Sequence, residues 1–270
     1  MGLGARKAIF VTGGGSGIGR AIAQHFGKQG WFVGLGDIDE HGMEVTADGL
    51  PGGHHYIHWL DVRDRAEWDV ALNAFSMASG GRIDVVVNNA GIPIGGSLIE
   101  NSPEEIERCL DINLKGVLFG AQAAHPHLKK TPPGSCLLNT ASAAGIFGSP
   151  GASVYSATKF GVRGLTESLD GEWHEDGIKV RSLCPGFIET PLLDKTPNHG
   201  ANEAIRDRVN AAGLEITPVE DVALAAWEAV HGDKVHTLVG KTARKLAFAV
   251  RWMPGRLRKM SRSSSRALGR

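Results

Sequence analysis

The sequence predicts an α/β fold, a single domain built on a doubly wound parallel sheet of about seven strands with helices on both faces. Short runs rich in valine, isoleucine and leucine recur along the chain, and each is followed by an amphipathic segment of helical length. This alternation is typical of parallel strands joined by crossover helices. The first run ends in a glycine-rich turn, which is the second observation that favours this class.

The predicted elements keep this alternation as far as residue 239. Strands are expected near residues 7–12, 32–37, 56–60, 83–87, 135–140, 178–184 and 235–239, and helices near residues 18–29, 41–49, 64–79, 103–129, 153–175 and 218–231. Residues 190–214 interrupt the alternation after the sixth strand. A long connection at the carboxyl end of a strand is typical of a lid or binding loop.

The composition is that of a globular protein. The chain has 270 residues, 42% hydrophobic and 21% charged, which is enough to bury one large core. No run of about 18 apolar residues is present, and the first residues lack the order of segments that marks a secretion signal. Cys109, Cys136 and Cys184 are far apart, which favours neither a disulfide framework nor a zinc knuckle. We therefore expect a cytoplasmic protein.

A glycine-rich turn follows the first predicted strand and leads directly into an amphipathic helix. Residues 12–19 read Thr-Gly-Gly-Gly-Ser-Gly-Ile-Gly. Glycines allow the backbone to approach a pyrophosphate closely, and the helix N-terminus attracts its negative charge. A plain turn is the alternative, but the context favours a Rossmann-type cofactor site whose contacts are Gly13, Gly15, Ser16, Gly17, Ile18 and Gly19.

Asp37 ends the second predicted strand, 18 residues beyond Gly19. A carboxylate near this spacing binds the ribose hydroxyls of NAD and repels the 2′-phosphate of NADP. Ser16 supplies no positive charge for that phosphate. Both positions favour NAD as the cofactor, although an ordinary turn at the end of the strand is the alternative interpretation of Asp37.

Tyr155 and Lys159 are the candidate catalytic pair. Oxidising an alcohol requires a base that takes the hydroxyl proton as hydride leaves carbon. A tyrosine suits this role if its pKa falls from about 10 toward neutrality, which a nearby cation achieves by stabilising the phenolate. The spacing of four residues places both side chains on one helix face, where Ser142 could hold the substrate oxygen. A plain surface pair is the alternative for this spacing alone.

The order of several motifs resembles that of the short-chain dehydrogenase/reductase family, over about residues 6–239. The motifs are, in chain order, the T-G-x-x-x-G-x-G turn, Asn-Asn-Ala-Gly at residues 88–91, Asn113, Ser142, Tyr-Ser-Ala-Thr-Lys at residues 155–159, and Pro185 and Gly186 followed by Thr190. The resemblance implies that Tyr155 is the acid/base and that Lys159 supports it and binds the nicotinamide ribose. It also implies that Ser142 binds the substrate oxygen and that Asn113 supports a proton-relay water.

The same resemblance implies further contacts with the cofactor. Asp61 and Val62 correspond to adenine contacts, and the residues of the Asn-Asn-Ala-Gly motif lie beside the cofactor. The implied positions in this motif and near the nicotinamide are Asn89, Ala90, Gly91, Pro185, Gly186, Ile188 and Thr190. Asn88 and Asn89 are also candidates for structural hydrogen bonds between strands. A homo-oligomer, tetramer or dimer, is implied as well.

The last 31 residues differ from the rest of the chain in charge. Ten of the 29 basic residues, but none of the 29 acidic ones, lie in residues 240–270. Leu246, Val250 and Met253 recur at helical spacing before Pro254. This basic amphipathic tail has three interpretations: a packed helix with a disordered end, a cover over the acidic body or the active site of a subunit, or a peripheral contact with an anionic membrane.

The sequence thus predicts a Rossmann-type catalytic domain over residues 1–239, with a substrate lid at 190–214, and a basic tail over 240–270. The expected function is NAD(H)-dependent interconversion of a hydrophobic secondary alcohol and its ketone, because the positions expected to line the pocket are mostly apolar. An NAD-binding sensor or scaffold, and an NADPH-dependent carbonyl or 3-oxoacyl reductase, are the alternatives. We expect no metal at His54, His55 and His58, and no nucleic-acid partner.

Overall fold

The computed structural model describes residues 6–198 and 202–267, with side chains described as far as residue 263. Its strands are β1 (Ala8–Thr12), β2 (Phe32–Asp37), β3 (His55–Trp59), β4 (Val85–Asn88), β5 (Ser135–Thr140), β6 (Ile178–Pro185), β7 (Phe187–Ile188), β8 (Ile216–Thr217) and β9 (His236–Val239). Its α-helices are α1 (Gly17–Lys28), α2 (Glu40–Asp48), α3 (Arg65–Ala78), α4 (Pro103–Leu110), α5 (Gly116–Leu128), α6 (Ser153–Glu172), α7 (Ile205–Ala211), α8 (Val219–His231), α9 (Gly240–Trp252) and α10 (Pro254–Ala267).

Seven of these strands form one parallel sheet in the order β3-β2-β1-β4-β5-β6-β9. The chain winds outward from β1 to β3, then returns across the sheet to β4 and winds outward in the other direction. This confirms the doubly wound fold. In such a sheet, ligands bind outside the carboxyl ends of the strands where the winding reverses, which here lies between β1 and β4.

Helices cover both faces of the sheet because successive side chains of each buried strand point to opposite sides. Ile9 and Val11 pack with the cluster under α1 and α8, whereas Ala8 and Phe10 pack with the cluster under α3, α5 and α6. All five residues of β1 are buried. Burial on both faces explains why the strands read as continuous apolar runs.

Polar residues at the helix starts explain several boundaries. Asp39 and Asp64 cap α2 and α3, and Ser102 forms a capping box with Glu105 at the start of α4. The helix predicted over 103–129 is interrupted once, because residues 111–115 form a π-helical turn between α4 and α5. Such turns often occur at functional sites, and this one contains Asn113.

Residues 190–198 and 202–214 contain more regular structure than the sequence indicates. They contain a 3₁₀ turn over Pro191–Asp194 and the helix α7, and β7 before them pairs with β8 after them in a small parallel sheet. A strand of two residues is too short to show an alternating pattern, so the sequence did not reveal this pairing.

The tail begins with a helix that packs against the domain. Ala243 is fully buried in α9, and Leu246, Ala247 and Val250 pack against the same apolar cluster. The following helix α10 is mostly exposed where its side chains are described. No helix among the described residues combines the length and the apolar character needed to cross a membrane.

Candidate active site

The glycine-rich turn lies between β1 and α1, at the edge where the winding of the sheet reverses. Gly17 has φ +52°, a conformation that favours glycine. A Cβ atom on Gly19 would lie 2.1 Å from the carbonyl oxygen of Gly13, so the turn can close only with glycine there. No described side chain caps the start of α1, and its first turn contains no acidic residue. The backbone N–H groups therefore remain available for an anion.

Two side chains form hydrogen bonds with the backbone carbonyls of this turn. The Thr46 hydroxyl lies 2.8 Å from the carbonyl oxygen of Gly14. The Arg20 guanidinium donates to the carbonyl of Gly15 and, at 3.0 Å, to the Thr46 hydroxyl. Sequence reasoning missed Arg20 and Thr46, because no spacing links a cation on α1 with a hydroxyl on α2.

Asp37 lies at the end of β2, directly beside the turn. Its Oδ2 accepts a hydrogen bond from the Gly15 N–H at 2.9 Å, and its Oδ1 accepts one from the Asp39 N–H at 3.1 Å. No Lys or Arg among the described residues forms an ion pair with it. The carboxylate is therefore held in place by the backbone, directly next to the turn.

Asp61 and Val62, the predicted adenine contacts, follow β3. The Arg63 guanidinium donates to both carboxylate oxygens of Asp61, at 2.6 Å to Oδ2, and this hydrogen bonding lowers the pKa of Asp61. The Val62 side chain is buried, and its carbonyl oxygen accepts a hydrogen bond from the Trp68 indole at 3.1 Å. Both residues lie at the carboxyl edge of the sheet, on the β2 side of β1.

Thr12 connects the turn to the Asn-Asn-Ala-Gly motif. Its hydroxyl accepts hydrogen bonds from the N–H groups of Asn89 and Ala90, at 3.0 and 3.2 Å. The Asn89 side chain donates to the Thr12 carbonyl at 2.9 Å. Asn88 instead donates to the Asn139 side chain at 2.9 Å. These contacts fix the ends of β1, β4 and β5 relative to one another, beside the start of α1.

The segment after β6 closes against the start of α1. The Gly186 N–H donates to the Val239 carbonyl at 3.1 Å, and Ile188 is buried in β7. Thr190 approaches Gly17 so closely that a Cβ atom on Gly17 would lie 3.3 Å from the Thr190 methyl group. The structure thus brings Thr190 to the predicted pyrophosphate turn, a few residues after Pro185 at the end of β6.

Tyr155, Lys159 and Ser142 meet at the carboxyl end of β5. Tyr155 and Lys159 lie one turn apart on α6, and the Lys159 Nζ is 5.6 Å from the centre of the Tyr155 ring. The same Nζ donates a hydrogen bond of 2.8 Å to the Thr140 carbonyl. Ser142 follows two residues after β5 and accepts a hydrogen bond from the Ala144 N–H at 3.1 Å. Lys159 and Ser142 are buried, and Tyr155 is partly buried.

Burial is the main influence on the pKa values of Lys159 and Tyr155. It lowers the pKa of Lys159 to about 8, since the charged ammonium loses hydration. It raises the pKa of Tyr155, and a hydrogen bond with Ser142 opposes this effect only in part. The protein's own groups therefore do not bring the pKa of Tyr155 toward neutrality. The lowering of this pKa by Lys159, expected from the sequence, therefore stays a prediction.

Asn113 lies in the π-helical turn and is fully buried. Its Oδ1 accepts a hydrogen bond from the Ile92 N–H, and its Nδ2 donates to the Ile92 carbonyl, both at 2.8 Å. A Cβ atom on Gly91 would lie 3.2 Å from the Asn113 Oδ1 and 3.7 Å from the Lys159 Nζ. Asn113 therefore fixes the segment after β4 next to the lysine.

Comparison with known proteins identifies the family. A family model described as short chain dehydrogenase matches residues 7–200. The chain belongs to the short-chain dehydrogenase family. Membership confirms the resemblance seen in the sequence, and it establishes an oxidoreductase whose cofactor is a nicotinamide dinucleotide.

Individual relatives agree with this assignment. The chain is 34% identical over 224 residues to meso-2,3-butanediol dehydrogenase of Serratia marcescens, covering 82% of this chain and 86% of that protein. It is 39% identical over 192 residues to 3-alpha-(or 20-beta)-hydroxysteroid dehydrogenase of Mycobacterium tuberculosis, covering 71% and 72%. A short chain dehydrogenase/reductase of Burkholderia phymatum, solved in complex with NAD, superposes with a TM-score of 0.83 at 26% identity, over 96% of this chain and 97% of that one.

The polar groups of this short-chain dehydrogenase fit a dinucleotide. The start of α1 offers N–H groups to a pyrophosphate, and Asp37 offers a carboxylate to ribose hydroxyls. Lys159 offers further hydrogen-bond donors, because an ammonium can donate three hydrogen bonds and one goes to Thr140. These groups lie along one edge of the sheet, from β2 across β1 to β5.

Residues 190–198 and 202–214 are held by contacts within the segment and with the residue before it, and by one contact with the segment after β4. The Arg206 guanidinium on α7 donates to Glu189 at 2.9 Å and to Asp194 at 2.6 Å. At the other side, the Gly95 N–H donates to the Pro197 carbonyl at 2.7 Å. Sequence reasoning missed Arg206, because a single cation in a segment without periodicity gives no signal of its partners.

The histidines of β3 and its entry were not expected to bind metal. Across the described residues, no group of three or more His, Cys, Asp or Glu side chains is arranged to hold a metal ion. Tyr56 stacks on His58 with ring centres 6.1 Å apart.

Proposed function

We propose that this short-chain dehydrogenase interconverts a hydrophobic secondary alcohol and its ketone, with NAD(H) as cofactor. The observation that carries the proposal is the meeting of Ser142, Tyr155 and Lys159 at the carboxyl end of β5, on the same sheet edge as the glycine turn. Bound there, the nicotinamide ring accepts the hydride in oxidation and donates it in reduction.

Each of the three side chains has a distinct task. The Tyr155 phenol gives its proton to the ketone oxygen in reduction, and the phenolate takes the hydroxyl proton back in oxidation. The Ser142 hydroxyl donates a hydrogen bond to the same substrate oxygen and holds it beside Tyr155. The Lys159 ammonium, 5.6 Å from the ring centre, stabilises the phenolate electrostatically. Asn113 acts as a positioning residue through Ile92 and Gly91.

Asp37 supports NAD over NADP. Its carboxylate stands beside the turn, held by two backbone N–H groups and without an ion-pair partner among the described residues. A 2′-phosphate placed there would meet a like charge, whereas ribose hydroxyls would find an acceptor. Ser16 at the start of α1 is exposed and uncharged, so it offers the phosphate no compensation.

The surroundings of Tyr155 support a hydrophobic substrate. Ile94 is buried and packs with Cys109 and Val154, and Tyr155 packs against this cluster. Further partly buried apolar side chains are Ile92, Phe147, Phe187 and Leu192. Ala143 and Ile146, just after Ser142, pack in the apolar cluster below α9. We propose that residues 190–214 form the lid over this apolar side of the site.

The remaining expectations stay proposals. Exposed apolar side chains on α4, α5 and α6 support a homo-oligomer formed through these helices, and they are Leu110, Leu118 and Phe160. All three cysteines are buried free thiols, which suits a reducing cytoplasm. We also propose that catalysis is confined to residues 1–239 and that the tail has a separate role.

The test compares the wild-type enzyme with Tyr155→Phe and Ser142→Ala. We expect Tyr155→Phe to lower kcat by about a thousandfold or more, within the range attributed to a missing acid/base group, while the affinity for NADH, followed by its fluorescence, changes little. A panel of apolar alcohols and ketones with NAD and NADP, followed by absorbance of the reduced cofactor, identifies the substrate. Near-normal turnover by Tyr155→Phe would show that the acid/base assignment is wrong.

The same panel separates the two alternatives. Higher kcat/KM with NADPH than with NADH would favour a carbonyl or 3-oxoacyl reductase. Tight NAD binding without turnover of any alcohol or ketone would favour a sensor or scaffold. The names of the butanediol and hydroxysteroid dehydrogenases, both alcohol dehydrogenases, support the alcohol assignment instead.

A further inference from the structure

The helix α9 has two faces of opposite character. One face, formed by Ala243, Leu246, Ala247 and Val250, packs against the domain. The other face is exposed and carries two aromatic side chains among four cations: Lys241, Arg244, Lys245, Phe248, Arg251 and Trp252. Phe248 is 58% exposed and Trp252 is 65% exposed. Packing against the domain therefore fixes the direction in which these aromatic side chains point.

The cations of this face have almost no partners in the part of the chain that the structure describes. Among residues 240–263, whose side chains are described, Lys241 is the one cation in an ion pair, with Glu215 at 3.5 Å. Arg251 lies over the Trp252 ring, 5.3 Å from its centre. No acidic residue lies in residues 240–270. The face therefore projects uncompensated positive charge around two exposed aromatic rings.

The helix α10 extends the same character. Arg256, Arg258, Lys259 and Arg262 are exposed on it, and Met260 is 57% exposed. Met253, between the two helices, is 37% exposed. We call the exposed face of α9 together with residues 253–263 the basic apolar surface.

We propose that the basic apolar surface docks on an anionic lipid bilayer. Cations there attract anionic headgroups, and Phe248 and Trp252 enter the interface between headgroups and acyl chains, where aromatic side chains are favoured. The same surface of a second copy fits less well, because it would bring like charges together and residues 240–270 contain no acidic residue to pair with them. The acidic balance of the remaining chain orients the protein with α9 and α10 toward the membrane.

The test is flotation of the full-length protein with two kinds of vesicle. One kind contains phosphatidylcholine with about 30% phosphatidylglycerol, and the other contains phosphatidylcholine alone, in about 0.1 M salt. We expect recovery with the anionic vesicles only, decreasing as the salt concentration rises. Equal recovery with both kinds, or none with either, would overturn the proposal.

Variants separate the contributions of charge and aromatic side chains. The triple variant Arg244→Gln, Lys245→Gln, Arg251→Gln should lower the partition coefficient roughly a hundredfold, because each cation near the headgroups contributes about fivefold. The double variant Phe248→Ser, Trp252→Ser should lower it by about tenfold or more. Binding of either variant at the wild-type level would contradict the proposal.

Matched controls change equally exposed residues elsewhere. Lys28→Gln, Lys130→Gln, Lys234→Gln removes three exposed cations of the remaining domain, and Met77→Ser, Ile99→Ser removes two exposed apolar side chains. Both controls should bind like the wild type, and thermal melting of every variant verifies that it is folded. Light scattering without vesicles completes the test. If the α9 variants form smaller assemblies than the wild type, the surface is a subunit interface and the proposal is wrong.

Discussion

The Lys159 ammonium donates a hydrogen bond to the Thr140 carbonyl over 2.8 Å, and so joins the catalytic helix α6 to the last residue of β5. The Thr140 hydroxyl donates in turn to the Asn89 side chain at 3.2 Å. Asn89 donates to the Thr12 carbonyl at 2.9 Å. A continuous line of polar contacts therefore runs from the glycine turn to the lysine, which fixes the distance between the predicted pyrophosphate and nicotinamide positions.

Replacing Lys159 with methionine should change how the stability of the protein depends on pH. Burial lowers the pKa of Lys159 from 10.5 to about 8. Between these values the unfolded chain still binds the proton, whereas the folded protein has released it, so this group makes the folded state more stable as pH rises. Across this pH range, the free energy of unfolding of the wild type should rise by up to about 3 kcal/mol relative to that of Lys159→Met. Urea unfolding at a series of pH values measures the difference.

The prediction concerns how the free energy of unfolding changes with pH, and not its absolute value. Lys159→Met also leaves the Thr140 carbonyl without its donor, which lowers stability at every pH by a constant amount. Lys130→Met removes an exposed lysine and should leave the slope unchanged. A stability difference between the wild type and Lys159→Met that does not vary with pH would contradict the assignment of a buried, weakly basic ammonium.

Oxidation and reduction should respond differently to pH. Because burial raises the pKa of Tyr155, the phenol predominates at neutral pH and is ready to donate its proton to a ketone. Oxidation needs the phenolate, so its kcat/KM should rise about tenfold per pH unit from pH 6 upward. Above a pH of about 8, Lys159 loses its charge and the rise should weaken. The kcat/KM for reduction should change much less with pH below this value.

Initial rates in both directions, with saturating cofactor, measure these profiles. In Lys159→Met, the rise of kcat/KM for oxidation should occur at higher pH, since the phenolate lacks the neighbouring cation. Identical pH profiles for oxidation and reduction would contradict the role of Tyr155 as the group that exchanges the proton.

The sheet and its helices were predictable because burial on both faces leaves a strong pattern in the sequence. Val85, Val86 and Val87 of β4 are fully buried and read as an unbroken apolar run. The pair on α6 was predictable from its spacing of four residues, because one helical turn brings such side chains together. The predicted ends differ by a few residues, as for α6, which ends at Glu172 and not at residue 175.

What the sequence did not reveal depends on contacts between distant segments. Arg20 supports the turn through Thr46, 26 residues later, and Arg206 contacts Glu189, 17 residues earlier. Neither separation matches the repeat of a helix or strand, so only the folded chain brings these groups together. The raised pKa of Tyr155 has the same origin, because burial is a property of the surrounding structure.

Replacing Asp37 with arginine should shift the preference from NAD to NADP. The change removes a carboxylate that would repel the 2′-phosphate and supplies a cation that attracts it. We expect the ratio of kcat/KM with NAD to that with NADP to fall about a hundredfold, or about 3 kcal/mol. Steady-state kinetics with both cofactors measure the ratio.

Two further variants separate charge from hydrogen bonding at Asp37. Asp37→Asn keeps an acceptor for the Gly15 N–H but loses the charge, so it should produce part of the shift. Glu44→Arg makes the same charge change on the exposed surface of α2 and should leave the ratio unchanged. An unchanged ratio in Asp37→Arg would show that Asp37 does not lie at the adenosine ribose.

Arg206 should control how residues 190–214 close over the substrate. Its guanidinium joins α7 to Glu189 and Asp194, and these hydrogen bonds lower the pKa of both carboxyl groups. Because the groups are exposed, Arg206→Met should change global stability little. It should instead free α7 locally, raising KM for the alcohol about fivefold with little change in the KM for NAD.

The comparison that decides this uses a second arginine of the same helix. Among the described residues, the one ion pair of Arg208 is a 3.9 Å contact with Glu203, so Arg208→Met should leave KM unchanged. Hydrogen exchange of the amides of α7 should accelerate in Arg206→Met alone. Since the pKa values of Glu189 and Asp194 are lowered in the folded protein, the ion pairs persist at neutral pH and weaken as the carboxyl groups are protonated in acid. As pH falls, the KM and the hydrogen exchange of the wild type should therefore approach those of Arg206→Met. Equal effects of both arginine variants at neutral pH would show that the ion pairs do not hold the lid.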